Sequence, residues 1–177
     1  MIHTILYASD LGVLSAYSLA YVEQLARQFN AKIVVLHVVP PIDALAAAVV
    51  NSRCSEQTKN EVLSNAHVEG LLETIREQAF ERLLDDEFGL EFSRYLSDIV
   101  IKTGAPAKTI IDYAQQNASD IIVIGNCSEC ADGMPVLGSV ASKVLQMAQI
   151  PVFMVPLSAA SAVANRHPYN RSDLPNA

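Results

Sequence analysis

The chain has 177 residues, 51% of them apolar, and a formal charge of 12 − 19 = −7. That length fits one domain with a sizeable core. No apolar run reaches the roughly 18 residues of a membrane span, and an acidic balance without any Lys/Arg cluster excludes a nucleic-acid backbone as partner.

The start of the chain meets Ser9 and Asp10 before a long apolar segment develops, so no signal peptide is expected. Three cysteines cannot form a full disulfide framework. A soluble protein of the cytoplasm is the expectation.

Ile2 to Ala8 is an apolar, β-rich run closed by Ser9, Asp10 and Gly12. Leu19, Val22, Ala26 and Phe29 then recur at three- and four-residue spacing, which predicts a helix with one buried face. Ala31 to Val39 is almost continuously apolar, the pattern of a strand covered on both faces, and Pro40 and Pro41 end it. Residues 40 to about 60 read as an irregular connection with a short helix around Leu45. A long helix is predicted over Glu61 to Asp86, with Val68, Leu72, Ile75, Ala79 and Leu83 as its buried stripe and Gly89 beyond its end.

A third strand is predicted from Ser97 to Lys102. Thr103-Gly104-Ala105-Pro106 turns into a helix carrying Ala107, Ile110, Ile111 and Ala114 inward, with Pro106 in the first turn, where its missing N–H costs nothing. Asp120 to Gly125 predicts a fourth strand, Asn126 to Leu137 a loop, and Gly138 to about Ala148 a helix. Ile150 to Pro156 predicts a fifth strand. Residues 158–177 are small, polar and aperiodic, and read as a disordered tail.

Strands separated by helices imply parallel pairing with right-handed crossovers. The expected fold is an α/β domain, an open five-stranded parallel sheet with helices on both faces. In such sheets ligands bind beyond the carboxyl ends of strands where neighbouring connections leave on opposite faces. That places function among Ala8–Gly12, Val38–Pro41, Thr103–Pro106 and Gly125–Ser139, around the ends of the first and fourth strands.

The loop after the fourth strand carries the most chemistry. A helix opening with Gly138-Ser139 offers unpaired backbone N–H groups and a hydroxyl at the positive end of its dipole, an anion site. Glycine also lets a phosphate approach the backbone. The plainer alternative is that Gly125 ends a strand and Ser139 caps a helix. Neither a P-loop nor a G-x-G-x-x-G turn occurs. Cys127 and Cys130 form C-x-x-C, either a reversible disulfide or two small loop residues, and two thiols do not make a structural zinc site. No nucleophile–base pair can be recognised, so no catalysis is indicated.

These segments together resemble the universal stress protein family. Its ATP-binding members carry G-x2-G-x9-G-[ST] after strand four, then a helix and a strand similar to PVLVVP. Here Gly125 and Gly138 have the matching offset, Ser139 follows, and Pro151 to Pro156 reads PVFMVP. The likeness extends to ILYASD, to VLHVV and to Gly104 with Pro106. It covers residues 1–157 as one domain and leaves 158–177 outside.

The resemblance implies a Rossmann-like, adenine nucleotide alpha hydrolase-like arrangement. It implies that Asp10 faces the ribose, that the backbone of Val38 meets adenine, and that Gly125, Ser128, Gly138, Ser139 and Val140 form the phosphate segment. It also implies ATP or AMP as ligand and a homodimer through the fifth strand; Mg²⁺ enters as the cation that would screen the phosphates from the acids of the loop. Two features depart from the pattern. Ser128 stands where the family has its second glycine, and the loop carries Glu129 and Asp132 without any Lys or Arg. A like charge at 4 Å costs about 1 kcal/mol in water. The resulting expectation is a non-enzymatic nucleotide-binding regulator, with slow ATP hydrolysis the reaction to test. The alternative is a dimeric interaction module that has lost nucleotide binding.

Overall fold

The computed structural model describes residues 1–11, 15–41, 70, 72–78, 81, 92–126 and 137–157. Among the described residues five strands run in chain order: β1 (Thr4–Ala8), β2 (Lys32–Val39), β3 (Leu96–Thr103), β4 (Ile121–Gly125) and β5 (Val152–Val155). The helices α1 (Ser15–Phe29), α2 (Pro106–Gln116) and α3 (Ser139–Met147) frame them, again among the described residues. Residues 72–78 are also helical, with Leu72 and Ile75 their least exposed positions, as the predicted stripe requires. Val68, Ala79, Leu83 and Gly89 lie outside the described residues, as do the predicted connection from residue 42 on, the start of the predicted helix (61–69) and the tail from 158.

The strands form one sheet in the order β3-β2-β1-β4-β5, and every pairing is parallel. Alternate residues of each strand feed two separate cores. Ile5 and Tyr7 of β1, Ile33 and Val35 of β2, and Ile121 and Val123 of β4 pack with Leu19, Val22 and Ala26 of α1. Leu6 and Ala8, Leu36 and Val38, and Ile122 and Ile124 pack instead with Ala107, Ile110 and Ala114 of α2 and Ala141 and Val144 of α3. This two-sided burial is why the strands read as continuous apolar runs. Each fully buried Val, Leu or Ile contributes roughly 1.5–3 kcal/mol relative to exposure.

Phe29 departs from its predicted place in the α1 stripe, with 42% of its surface exposed. Helix α1 ends there. Asn30 takes φ of 50°, and the Ala31 amide folds back to the Ala26 carbonyl at 2.9 Å. This is a left-handed closing turn in which the residue after the turn meets the last buried helical one. Ala31, buried beside Ala26, therefore supplies the contact that periodicity had assigned to Phe29. The same device ends α2: Ala118 has φ of 48°, and the Ser119 amide reaches the Ala114 carbonyl at 2.9 Å.

Between β3 and α2 the chain turns at Gly104, whose φ of 154° few side chains adopt. A Cβ there would stand 2.5 Å from Thr109 Oγ1. At the opposite end of the sheet the Asp120 carboxylate accepts from the amides of His3 (2.7 Å) and Thr4 (2.9 Å). This contact fixes the entry of β1 against that of β4.

Candidate functional site

Helix α1 leaves β1 toward one face of the sheet, and the segment after β4 leads to α3 on the other. Between the ends of these adjacent strands lies a cavity of about 320 Å³, within the size range of small-molecule sites. Asp10, Val38, Gly125, Gly138, Ser139 and Val140 all line it. Ser128 lies outside the described residues, together with Cys127, Glu129, Cys130 and Asp132.

The floor of the cavity follows from strand lengths. The β1–β2 ladder ends at Ala8 opposite Leu36, and the Ser9 amide donates to the Leu36 carbonyl at 3.0 Å. Backbone groups alternate sides along a strand, so the N–H and C=O of Val38 point the same way as those of Leu36. At that level β1 has already turned off. Val38 thus presents a donor and an acceptor side by side above the last rung, while its side chain is held in the core below α2.

Helix α3 supplies the opposite wall. Gly138 is its N-cap, with no side-chain capping bond, and Ser139 is its first helical residue. The Ser142 amide donates to the Gly138 carbonyl at 2.9 Å. The amides of Ser139, Val140 and Ala141 therefore have no acceptor within the helix, and all these residues border the cavity. Their N–H groups and the positive end of the helix dipole make this wall receptive to an anion.

Asn126 holds the wall in place through three strands of contact. Its amide donates to the Val155 carbonyl (3.0 Å), its carbonyl accepts from the Gly138 amide (2.6 Å), and its side-chain oxygen accepts from the Leu157 amide (2.6 Å). One residue thereby ties the end of β4 to the start of α3 and to the exit of β5. Leu157, buried, closes the cavity from the α1 side.

The β1–α1 turn carries Asp10. Ser9 Oγ accepts from the Leu11 amide at 3.0 Å, and Leu11 stands at φ of 57°. A left-handed non-glycine residue costs on the order of 1–3 kcal/mol and persists where its surroundings over-determine it. Beneath the turn Tyr7 is buried, which raises its hydroxyl above the ordinary pKa of 10.0; hydrogen bonds from Ser9 and Ser18 oppose that shift and the Asp10 carboxylate adds to it. His37 adds a further tie, its Nδ1 lying 2.9 Å from the Ser9 carbonyl oxygen.

His37, Asn126, Leu157, Tyr7 and Ser18 are wall residues that motif reading did not single out. His37 lies in β2 immediately before Val38 and is part of the wall. Asn126 was visible only as the first residue of a loop. Among the described residues lining the cavity Asp10 is the carboxylate and neither Lys nor Arg occurs. Also among the described residues, no group of His, Cys, Asp and Glu is gathered tightly enough to hold a metal ion, and no helix is long and apolar enough to cross a membrane.

A parallel sheet wound to both sides, with a cavity beyond its switch point and a helix N-terminus in the wall, defines a doubly wound, Rossmann-like α/β protein. Residues 1–156 match the model of the universal stress protein family, and the chain belongs to that family. The universal stress protein YxiE of Bacillus subtilis is 29% identical over 162 residues, covering 88% of this chain and 99% of the relative. The fold recurs in a universal stress protein in complex with cAMP (TM-score 0.55, 19% identity, 89% of this chain and 98% of that one). It recurs also in a family protein of Arabidopsis thaliana with AMP bound (TM-score 0.50, 18% identity, 90% and 94%).

Proposed function

We propose that this protein binds an adenine nucleotide in the cavity between β1 and β4 and acts as a regulatory or stress-response factor of the cytoplasm rather than as an enzyme. The observation that carries the reading is Val38. An N–H and a C=O side by side above the last β1–β2 rung match the acceptor N1 and the amino group of adenine. The α3 amides stand across the same cavity for phosphate, and Asp10 lies on the turn between them for ribose. Relatives of the same fold in complex with cAMP and with AMP bound support the ligand class.

Binding rather than catalysis fits the commitments of the polar groups. The Ser9 hydroxyl accepts from Leu11 and His37 Nδ1 donates to the Ser9 carbonyl, contacts that tie both residues to the turn. An absence of turnover with ATP under conditions that give binding is the expected result.

A second reading, an interaction module with a vestigial cavity, is favoured by one observation: the described lining holds a carboxylate and neither Lys nor Arg. Calorimetric titration with AMP, ADP and ATP, each with and without Mg²⁺, separates the two. Saturable binding of at least one nucleotide supports the first reading. No heat with any of them leaves the second.

Both readings include a homodimer. β5 is the last strand of the sheet, and Phe153 and Met154 on it are 37% and 39% exposed. Leu145 and Met147 of α3 are exposed as well. An apolar sheet edge of this kind is a template for association, and a second copy of the chain is the partner we propose for it.

A further inference from the structure

We propose that His37 is a positioning residue for ribose recognition, holding the turn that carries Asp10; the inference rests on the nucleotide reading above. Continuing the β1–β2 register one step beyond Ala8 and Leu36 brings Ser9 opposite His37. The imidazole bridges that gap, with Nδ1 2.9 Å from the Ser9 carbonyl oxygen. A carbonyl can only accept, so Nδ1 carries the hydrogen in this contact, which fixes the tautomer of the neutral ring.

Ser9 is then held at every polar group. Its amide donates to the Leu36 carbonyl (3.0 Å), its carbonyl accepts from His37, and its hydroxyl accepts from the Leu11 amide (3.0 Å). Asp10 lies between Ser9 and Leu11, and Leu11 is at φ of 57°. A turn in that sparsely populated conformation needs outside support to keep one geometry. The bond to Leu36 joins two backbone groups, and the bond to Leu11 uses the hydroxyl of Ser9 itself. The bond from His37 is the side-chain contribution of β2, one residue before Val38. His37 therefore couples the strand that meets the base to the carboxylate that meets the sugar.

Such coupling has a signature distinct from that of a wall residue. Loss of a wall contact weakens AMP and its deoxy analogues alike, whereas loss of the Asp10 geometry removes the preference for the hydroxylated sugar. The test is calorimetric titration of wild type, His37→Asn, His37→Leu and Asp10→Asn with AMP, 2′-deoxy-AMP and 3′-deoxy-AMP, with thermal unfolding as the check on folding. Asn places a donor near the position of Nδ1, and Leu has none.

Wild type is expected to lose about tenfold in affinity when the hydroxyl that meets Asp10 is removed, as for a hydrogen bond to a charged group. His37→Leu and Asp10→Asn should lose most of that ratio, and His37→Asn should keep it. Retention of the wild-type ratio by folded His37→Leu overturns the inference, as does its loss in folded His37→Asn. A wild type indifferent to the sugar hydroxyls overturns it too, while leaving nucleotide binding intact. A wild type that binds no AMP overturns the functional reading, and this inference falls with it.

Discussion

The side-chain oxygen of Asn126 accepts the amide hydrogen of Leu157 at 2.6 Å, joining residues 31 apart in the chain at the mouth of the cavity. Asn126→Ala removes this acceptor from the part-buried amide. A loss of about 1–3 kcal/mol is expected, read as a lower urea midpoint. Asn126→Asp keeps the acceptor but adds a charge beside the α3 N-terminus. It should unfold near the wild-type midpoint yet bind ATP more weakly, with a smaller effect on AMP, since the repulsion scales with ligand charge.

Asp120 links pH to stability. The amides of His3 and Thr4 hold its carboxyl below the ordinary value of 3.8. Its folded pKa lies under its unfolded one, so the contribution is present above the unfolded value and is lost as pH falls through the folded one. Asp120→Ala should be less stable than wild type at neutral pH, and the gap should close on acidification below 3.8. Unfolding curves of both proteins along a pH series give the comparison. A gap constant down to the acid limit would show that the bonds do not depend on the charge.

Gly104→Ala should destabilise the fold by roughly 1–3 kcal/mol through the forced backbone conformation. A smaller part comes from the contact with Thr109 Oγ1. The double variant Gly104→Ala/Thr109→Ala removes that contact and should recover only the minor share. Full recovery would mean that the φ of 154° carries little strain.

Phe153→Lys puts a charge on the apolar edge of β5. Light scattering at micromolar concentration is expected to give a dimer for wild type and a monomer for the variant, with nucleotide affinity per chain nearly unchanged. A wild-type monomer would refute the edge pairing.

Much of this architecture could be read along the chain because it depends on local patterns. Ile5 to Ala8, Lys32 to Val39 and Ile121 to Gly125 feed both cores with alternate residues, and that demand writes a nearly continuous apolar run. Gly104, Pro106 and Gly138 likewise mark turns by their own backbone chemistry. Phe29 was misplaced because spacing alone does not show where a helix stops, and the left-handed Asn30 stops it there.

The roles of His37 and Asn126 could not be read in this way. His37 meets Ser9 across 28 positions and Asn126 meets Leu157 across 31. Each contact exists only because parallel strands end at particular levels. Polar residues whose partners are set by sheet register leave no periodic trace. The anion wall lies between these extremes: Gly138-Ser139 was legible as a helix start, whereas its position across from Val38 required the order β2-β1-β4.

The claim at the centre of this account is that Val38 and the α3 N-terminus hold the two ends of one adenine nucleotide. Amide-resolved NMR titration of the ¹⁵N-labelled full chain with AMP tests it most directly. The account predicts saturable shifts at Val38 and at Ser139, Val140 and Ala141 with a common affinity, while amides at the far end of the sheet, such as Thr4 and Lys32, stay in place. Saturable binding that leaves the Val38 and Ser139–Ala141 amides unmoved, or no shifts with AMP at all, would contradict it.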